Sequence, residues 1–133
     1  MEEGDQSLWR ERAWLPVKAP GLDAGPLRHA GMPPLRRMGR TARELGMRGR
    51  LWIKDDGLLP TGSLKDRASA VVVMRALGLG VERVVTASTG NAGVALAAMA
   101  RAADLPAVVI VPADAPPAKL AQIGVFGATL VPV

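Results

Sequence analysis

The 133-residue sequence contains no cysteine, no tyrosine, one phenylalanine and one histidine. Without cysteine there is neither a disulfide framework nor a thiolate metal site, and His29 alone cannot assemble an imidazole cluster, so metal chemistry is not expected. At 3% aromatic residues, base-stacking platforms are scarce, and no nucleic-acid module is recognisable. No apolar run approaches the roughly 18–20 residues of a membrane span. The acidic start, Met1-Glu2-Glu3-Gly4-Asp5, is not followed by the apolar core of a signal peptide. A soluble cytoplasmic protein without a membrane partner is the expectation.

What is present is apolar bulk and positive charge. The chain is 49% hydrophobic, enough for the core of one domain and too short for two. Its formal net charge is +5, and Arg28, Arg36, Arg37, Arg40, Arg43, Arg48 and Arg50 fall in one stretch. Such a stretch can serve a phosphate backbone. With so few aromatics it reads mostly as a solvated face, and nucleic acid is not the expected partner.

Prolines and glycines break residues 1–34 into an irregular N-terminal arm, with one short helix around 8–15, wrapped on a larger body. Residues 35–133 read as a partial α/β domain whose C-terminal part is missing. Leu35, Met38, Ala42 and Leu45 share one helical face and predict an amphipathic helix stopping near Gly46. Leu51-Trp52-Ile53 predicts a short strand. Beyond a polar loop the pattern predicts helix 63–77, strand 83–87, helix 91–103, strand 107–111, helix 117–126 and strand 129–133. Val84-Val85-Thr86-Ala87 and Val108-Val109-Ile110-Val111 are almost continuously apolar, as strands buried on both faces of a parallel sheet are. The fold class is therefore α/β, a three-layer αβα unit. The last strand has nothing behind it to close the architecture, so a fragment is expected.

Two segments can carry chemistry. Ser63 and Asp66 form a Ser-x-x-acidic capping pattern after Gly62, which permits a sharp turn. This places Lys65, one of four lysines, in the first turn of a helix. The helix dipole disfavours an ammonium there and favours the neutral amine that attacks an aldehyde. The alternative is a solvent-facing Lys65 paired with Asp66 or a neighbour, and the physics of the helix end leaves both open. The second segment, Thr86-Ala87-Ser88-Thr89-Gly90-Asn91-Ala92-Gly93, is a polar turn between a strand and a helix of small residues. Its backbone N–H groups and the hydroxyls of Ser88 and Thr89 can converge on an anion, with Gly90 permitting close approach; an ordinary helix cap is the alternative. Its position at the carboxyl end of a parallel strand is where open α/β sheets bind ligands. Walker and dinucleotide glycine patterns are missing, and no histidine lies near Ser63 or Ser88 to form a hydrolase triad.

The run Lys54-Asp55-Asp56-Gly57-Leu58-Leu59-Pro60-Thr61-Gly62-Ser63-Leu64-Lys65-Asp66-Arg67 resembles the lysine-bearing signature of threonine synthases and related fold-type II pyridoxal-phosphate enzymes. Ala87-Ser88-Thr89-Gly90-Asn91 resembles their Ser-Thr-Gly-Asn loop, and Ser7-Leu8-Trp9-Arg10 resembles their opening. Pro112 and Lys119-Leu120-Ala121-Gln122 through Gly127-Ala128 resemble the next strand, helix and strand, so the likeness covers nearly the whole chain. It implies the tryptophan synthase β-like architecture and pyridoxal 5'-phosphate as cofactor, carried by Lys65. Asn91 would hydrogen-bond the cofactor's phenolic oxygen, and Ser88, Thr89 and Gly90 would hold the substrate carboxylate. The implied reaction converts O-phospho-L-homoserine and water to L-threonine and phosphate, with a small amino-acid substrate and a homodimeric full-length parent. Lyases and dehydratases acting on serine, threonine or diaminopropionate share the signature and are the alternatives, as is a non-catalytic remnant or interaction module. The chain departs from the family at Leu64, where phenylalanine is usual, at Leu59, where asparagine is usual, and at Gly31-Met32-Pro33-Pro34-Leu35, which replaces a Gly-Thr-Pro-Leu segment. In family members the glycine-rich phosphate loop and the group meeting the pyridine nitrogen come later in the sequence, so the isolated chain is expected to be weakly active or inactive.

Overall fold

A buried tryptophan organises the N-terminal segment. The computed structural model describes residues 4–21 and 23–133; the acidic start at residues 1–3 and Leu22 lie outside the described residues. Leu8–Trp14 forms a 3-10 helix whose first turn is capped by Ser7, its Oγ accepting the Trp9 N–H at 3.2 Å. Trp9 is 0% exposed, and its Nε1–H donates to the Leu27 carbonyl at 2.8 Å. Leu27 belongs to α1 (Pro26–His29), which opens on a proline whose fixed φ suits a first helical turn. Arg28 reaches back to Ser7 Oγ and to Asp5, both at 2.9 Å. Hydrogen bonds from the Ser7 hydroxyl first, then from its backbone N–H and from Arg28, hold the Asp5 carboxyl down at about 2. Trp9, Leu27 and Ala30 join Ala70, Val73, Leu96 and Met99 in one apolar cluster, so this segment is part of the core.

The helix predicted from Leu35 to Leu45 is a strand followed by a shorter helix. Leu35–Arg37 is β1, antiparallel to β2 (Trp52–Lys54) with Leu35 opposite Lys54 and Arg37 opposite Trp52. Helix α2 spans only Gly39–Glu44 and stops before Gly46, which has φ +66°. The cause lies outside the periodic pattern. Pro33-Pro34 directs the chain into extended backbone, and ladder bonds continue beyond the strands, from Asp55 N–H to the Pro34 carbonyl and from Met38 N–H to that of Leu51.

The remainder alternates helix and strand as expected. Helix α3 (Lys65–Gly78) leads into β3 (Val84–Ala87), α4 (Asn91–Arg101), β4 (Ala107–Val111), α5 (Pro117–Val125) and β5 (Thr129–Pro132). The three strands form a parallel sheet in the order β3-β4-β5, with Val84 beside Ala107 and Val108 beside Thr129. Both crossovers step the same way across the sheet, and right-handed connections then put α4 and α5 on one face. That face is packed. Ala107, Val109 and Val111 are buried beneath the helices, and every α4 residue from Gly93 to Ala100 is buried. Small side chains let α4 sit between the sheet and α3, where Ala70, Val73 and Ala76 meet Leu96, Met99 and Ala100. Val85 is 57% and Val131 38% exposed on the opposite face, beside the half-exposed Val108 and Ile110. The continuous apolar strands are thus covered on one side among the described residues, by α4 and α5, with α3 packed on α4. No helix among the described residues is long and apolar enough to cross a membrane.

Candidate functional site

Lys65 is the first residue of α3, and its side chain is exposed. Its backbone N–H donates to Ser63 Oγ at 3.2 Å, so Ser63 supports the first turn from one residue before the N-cap, Leu64, rather than as the expected cap. Asp66 departs from the capping pattern. Its carboxylate accepts the Thr61 N–H at 2.7 Å and the Thr61 hydroxyl, and it is 0% exposed. Asp66 is therefore engaged five residues upstream, and among the described residues no carboxylate pairs with the Lys65 amine. Gly62, at φ +71°, makes the turn between Thr61 and Ser63 possible. A second brace flanks this one: Arg67 grips Asp56 through two bonds of 2.9 and 3.0 Å. The guanidinium holds the Asp56 carboxyl below its usual range, and Asp56 in turn raises that of Arg67.

The Ser88–Gly90 turn follows β3 and opens α4 at Asn91. Ser88 accepts the Gly90 N–H at 3.2 Å rather than capping the helix, and α4 has no side-chain cap. The Ser88 hydroxyl proton and the first N–H groups of α4 are thus available to an anion. Ser88, Thr89 and Gly90 are half-buried, while Asn91 is exposed. One feature of this turn has no signature in residue spacing. A Cβ on Gly93 would lie 2.6 Å from the Ser88 carbonyl oxygen, 3.2 Å from Val109 Cγ1 and 3.3 Å from Ile123 Cδ1. The turn is folded down onto the helix axis, and only glycine leaves room for it.

Helices α3 and α4 pack against each other, one leading into β3 and the other leaving it. The Ser88–Asn91 turn stands at the carboxyl end of β3, and Lys65 opens α3, the helix packed on α4. Elsewhere, a cavity of about 250 Å³ lined by Ala97, Arg101, Leu105, Phe126 and Ala128 lies at the far end of α4. Thr61, Asp66 as a brace, the Asp56–Arg67 pair and Gly93 are the residues that spacing rules did not single out. Their contacts join residues five and eleven apart, or side chain to distant backbone, outside helical templates.

Residues 27–133 match the family described as pyridoxal-phosphate dependent enzyme. The threonine synthase of Methanocaldococcus jannaschii is 39% identical over 127 residues, covering 95% of this chain and 31% of that protein. That of Methanosarcina acetivorans is 39% identical over 107 residues, 80% of this chain and 25% of that one. Among solved structures, an O-ureido-L-serine synthase superposes with a TM-score of 0.72 at 28% identity, over 81% of this chain and 34% of that chain. A pyridoxal 5'-phosphate-dependent aspartate racemase does so with a TM-score of 0.69 at 31% identity, over 75% and 32%. The chain spans about a quarter to a third of the length of these proteins. It belongs to the pyridoxal-phosphate dependent enzyme family, with pyridoxal 5'-phosphate as the family's cofactor.

Proposed function

We propose that this chain is the lysine-bearing part of a threonine synthase-like lyase, the whole protein converting O-phospho-L-homoserine and water to L-threonine and phosphate. The observation that carries the reading is an exposed Lys65 amine without a carboxylate partner among the described residues, on a braced helix start; the uncapped N-terminus of α4, at the carboxyl end of β3, supports it. The threonine synthases at 39% identity support the choice of reaction. These residues suit pyridoxal phosphate: an aldehyde needs an accessible amine, and a phenolic oxygen needs a donor such as the exposed Asn91 amide. When bound, the cofactor supplies an electron sink for carbanion chemistry.

Within that scheme, Lys65 would hold the cofactor, and its amine would carry protons to and from the substrate. Asn91 would help to orient the cofactor. The Ser88 hydroxyl, Thr89 and Gly90 hold the substrate carboxylate at the α4 N-terminus, where helix partial charge favours an anion. Residues 35–133 form the partial catalytic domain behind the N-terminal segment 1–34, and the whole protein is a cytoplasmic homodimer, as the resemblance to threonine synthases implies. The isolated chain turns over slowly at best.

The test is to incubate the chain with pyridoxal phosphate and O-phospho-L-homoserine and to measure inorganic phosphate and L-threonine, with serine and threonine as competing substrates. Slow phosphate release coupled to threonine formation, lost in Lys65→Ala, is expected. Formation of 2-oxo acids from serine or threonine without phosphate release would replace the reading with a dehydratase. Turnover undiminished by Lys65→Ala would overturn it.

A further inference from the structure

We propose that Asp66 is a positioning residue, whose clasp on Thr61 fixes the direction in which the Lys65 amine is presented; this rests on the reading of Lys65 as the cofactor-bearing lysine. Asp66 is 0% exposed, and its bonds are to neutral donors, the N–H and the hydroxyl of a single residue, Thr61. Asp66 lies in the first turn of α3, where the helix end and the charge of Arg67 favour an anion, yet both of its hydrogen bonds go to Thr61 rather than to the N–H groups of the helix. What the clasp does is geometric. It closes the segment Thr61–Asp66 into a ring, with the buried Ser63 inside it. Ser63 bonds that ring twice, its Oγ to the Lys65 N–H at 3.2 Å and its carbonyl to the Asp66 N–H at 3.1 Å.

Lys65 therefore lies two residues after a braced serine and directly before a braced aspartate. Its Cα cannot shift without breaking one of these bonds, and the freedom left to the residue is in its side-chain torsions. The Arg67–Asp56 pair performs a different task. It ties Arg67, a residue further along α3, to Asp56 at the start of the short 3-10 turn Asp56–Leu58 through a partly exposed ion pair that water can replace. The Thr61–Asp66 clasp lies nearer to Lys65 and is buried, so it controls the aim of the amine. Misplacing a reacting group by an ångström can cost on the order of a hundredfold in rate.

The test uses the full chain and pyridoxal phosphate. The aldehyde is allowed to condense with lysines, the product is reduced with borohydride, and modification at Lys18, Lys54, Lys65 and Lys119 is resolved by peptide mass analysis. Lys65 is expected to be labelled in preference to the other three. Asp66→Asn, which keeps the volume but weakens the acceptor, is expected to lower labelling at Lys65 by about tenfold or more while Lys54 and Lys119 are unchanged. Loss of fold, read separately by far-ultraviolet circular dichroism, would instead make the four lysines react alike, since Lys18, Lys54 and Lys65 are already exposed. Should Asp66→Asn fail to fold, Thr61→Val and Thr61→Ser decide: the valine lowers Lys65 labelling and the serine, which restores the hydroxyl, returns it. Wild-type Lys65 preference that persists in Asp66→Asn, or in Thr61→Val when the first variant does not fold, overturns the clasp and leaves the reading of Lys65 standing. Absence of Lys65 preference in the wild type overturns both.

Discussion

Replacing Trp9 with alanine is expected to destabilise the chain by about 3–5 kcal/mol, the usual cost of deleting a fully buried aromatic side chain. Against a total of about 5–15 kcal/mol for a typical domain, that removes much of the folded population. Trp9 is 0% exposed and ties three parts of the structure together: the Leu8–Trp14 turn, α1 through the Leu27 carbonyl, and the α3–α4 layer through the shared apolar cluster. Trp14, at the other end of the same 3-10 helix, is 84% exposed, so Trp14→Ala serves as the control and is expected to change stability little. Trp9→Phe retains most of the apolar area but leaves the Leu27 carbonyl without its 2.8 Å donor, and an intermediate loss of about 1–3 kcal/mol is expected. Urea unfolding followed by far-ultraviolet circular dichroism measures all three. Equal midpoints for Trp9→Ala and Trp14→Ala would mean that the N-terminal segment is not part of the core.

Gly93→Ala is expected to destabilise by about 1–3 kcal/mol, as overpacking does, although alanine favours a helix over glycine by up to about 1 kcal/mol. The clash decides the sign. The new methyl would lie 2.6 Å from a backbone carbonyl oxygen, that of Ser88, and a carbonyl cannot swing away as a long side chain can. Relief requires the Ser88–Gly90 turn to lift off α4, which also displaces the groups proposed to hold the substrate carboxylate. Gly124 in α5 provides the contrast: nothing lies within 4 Å of an added Cβ, and Gly124→Ala is expected to stabilise by about 0.4–1 kcal/mol. Thermal unfolding of the two variants should move in opposite directions. A Gly93→Ala variant as stable as Gly124→Ala would contradict the close approach of the turn.

Where local pattern and tertiary contact agree, the fold was legible from residue order. Val108-Val109-Ile110-Val111 and the small-residue run after Asn91 have few other uses than a central strand and a buried helix, and β4 and α4 stand where they were expected. The run from Leu35 to Leu45 misled because its helical period is real while its outer members are not core. Leu35 is 62% and Leu45 66% exposed, and pairing with Trp52–Lys54 across the intervening chain claims Leu35–Arg37. The partners of Asp66 were similarly hidden. A Ser-x-x-Asp pattern points the carboxylate at Ser63, but Thr61 offers two donors on the buried side and takes it. Sequence could place Lys65 at a helix start. It could not show that the turn before it is clasped, or that Gly93 is required beneath Ser88.

The most direct test of Lys65 as the cofactor lysine is a pyridoxal phosphate titration followed by visible absorbance, on the wild-type chain, Lys65→Ala and Lys54→Ala. Lys54 lies at the end of β2, exposed and close in sequence, and serves as the matched control. The absorbance of lysine-bound cofactor should saturate in the wild type and in Lys54→Ala and be missing in Lys65→Ala. A band of equal strength in Lys65→Ala, or none in the wild type, would contradict the account.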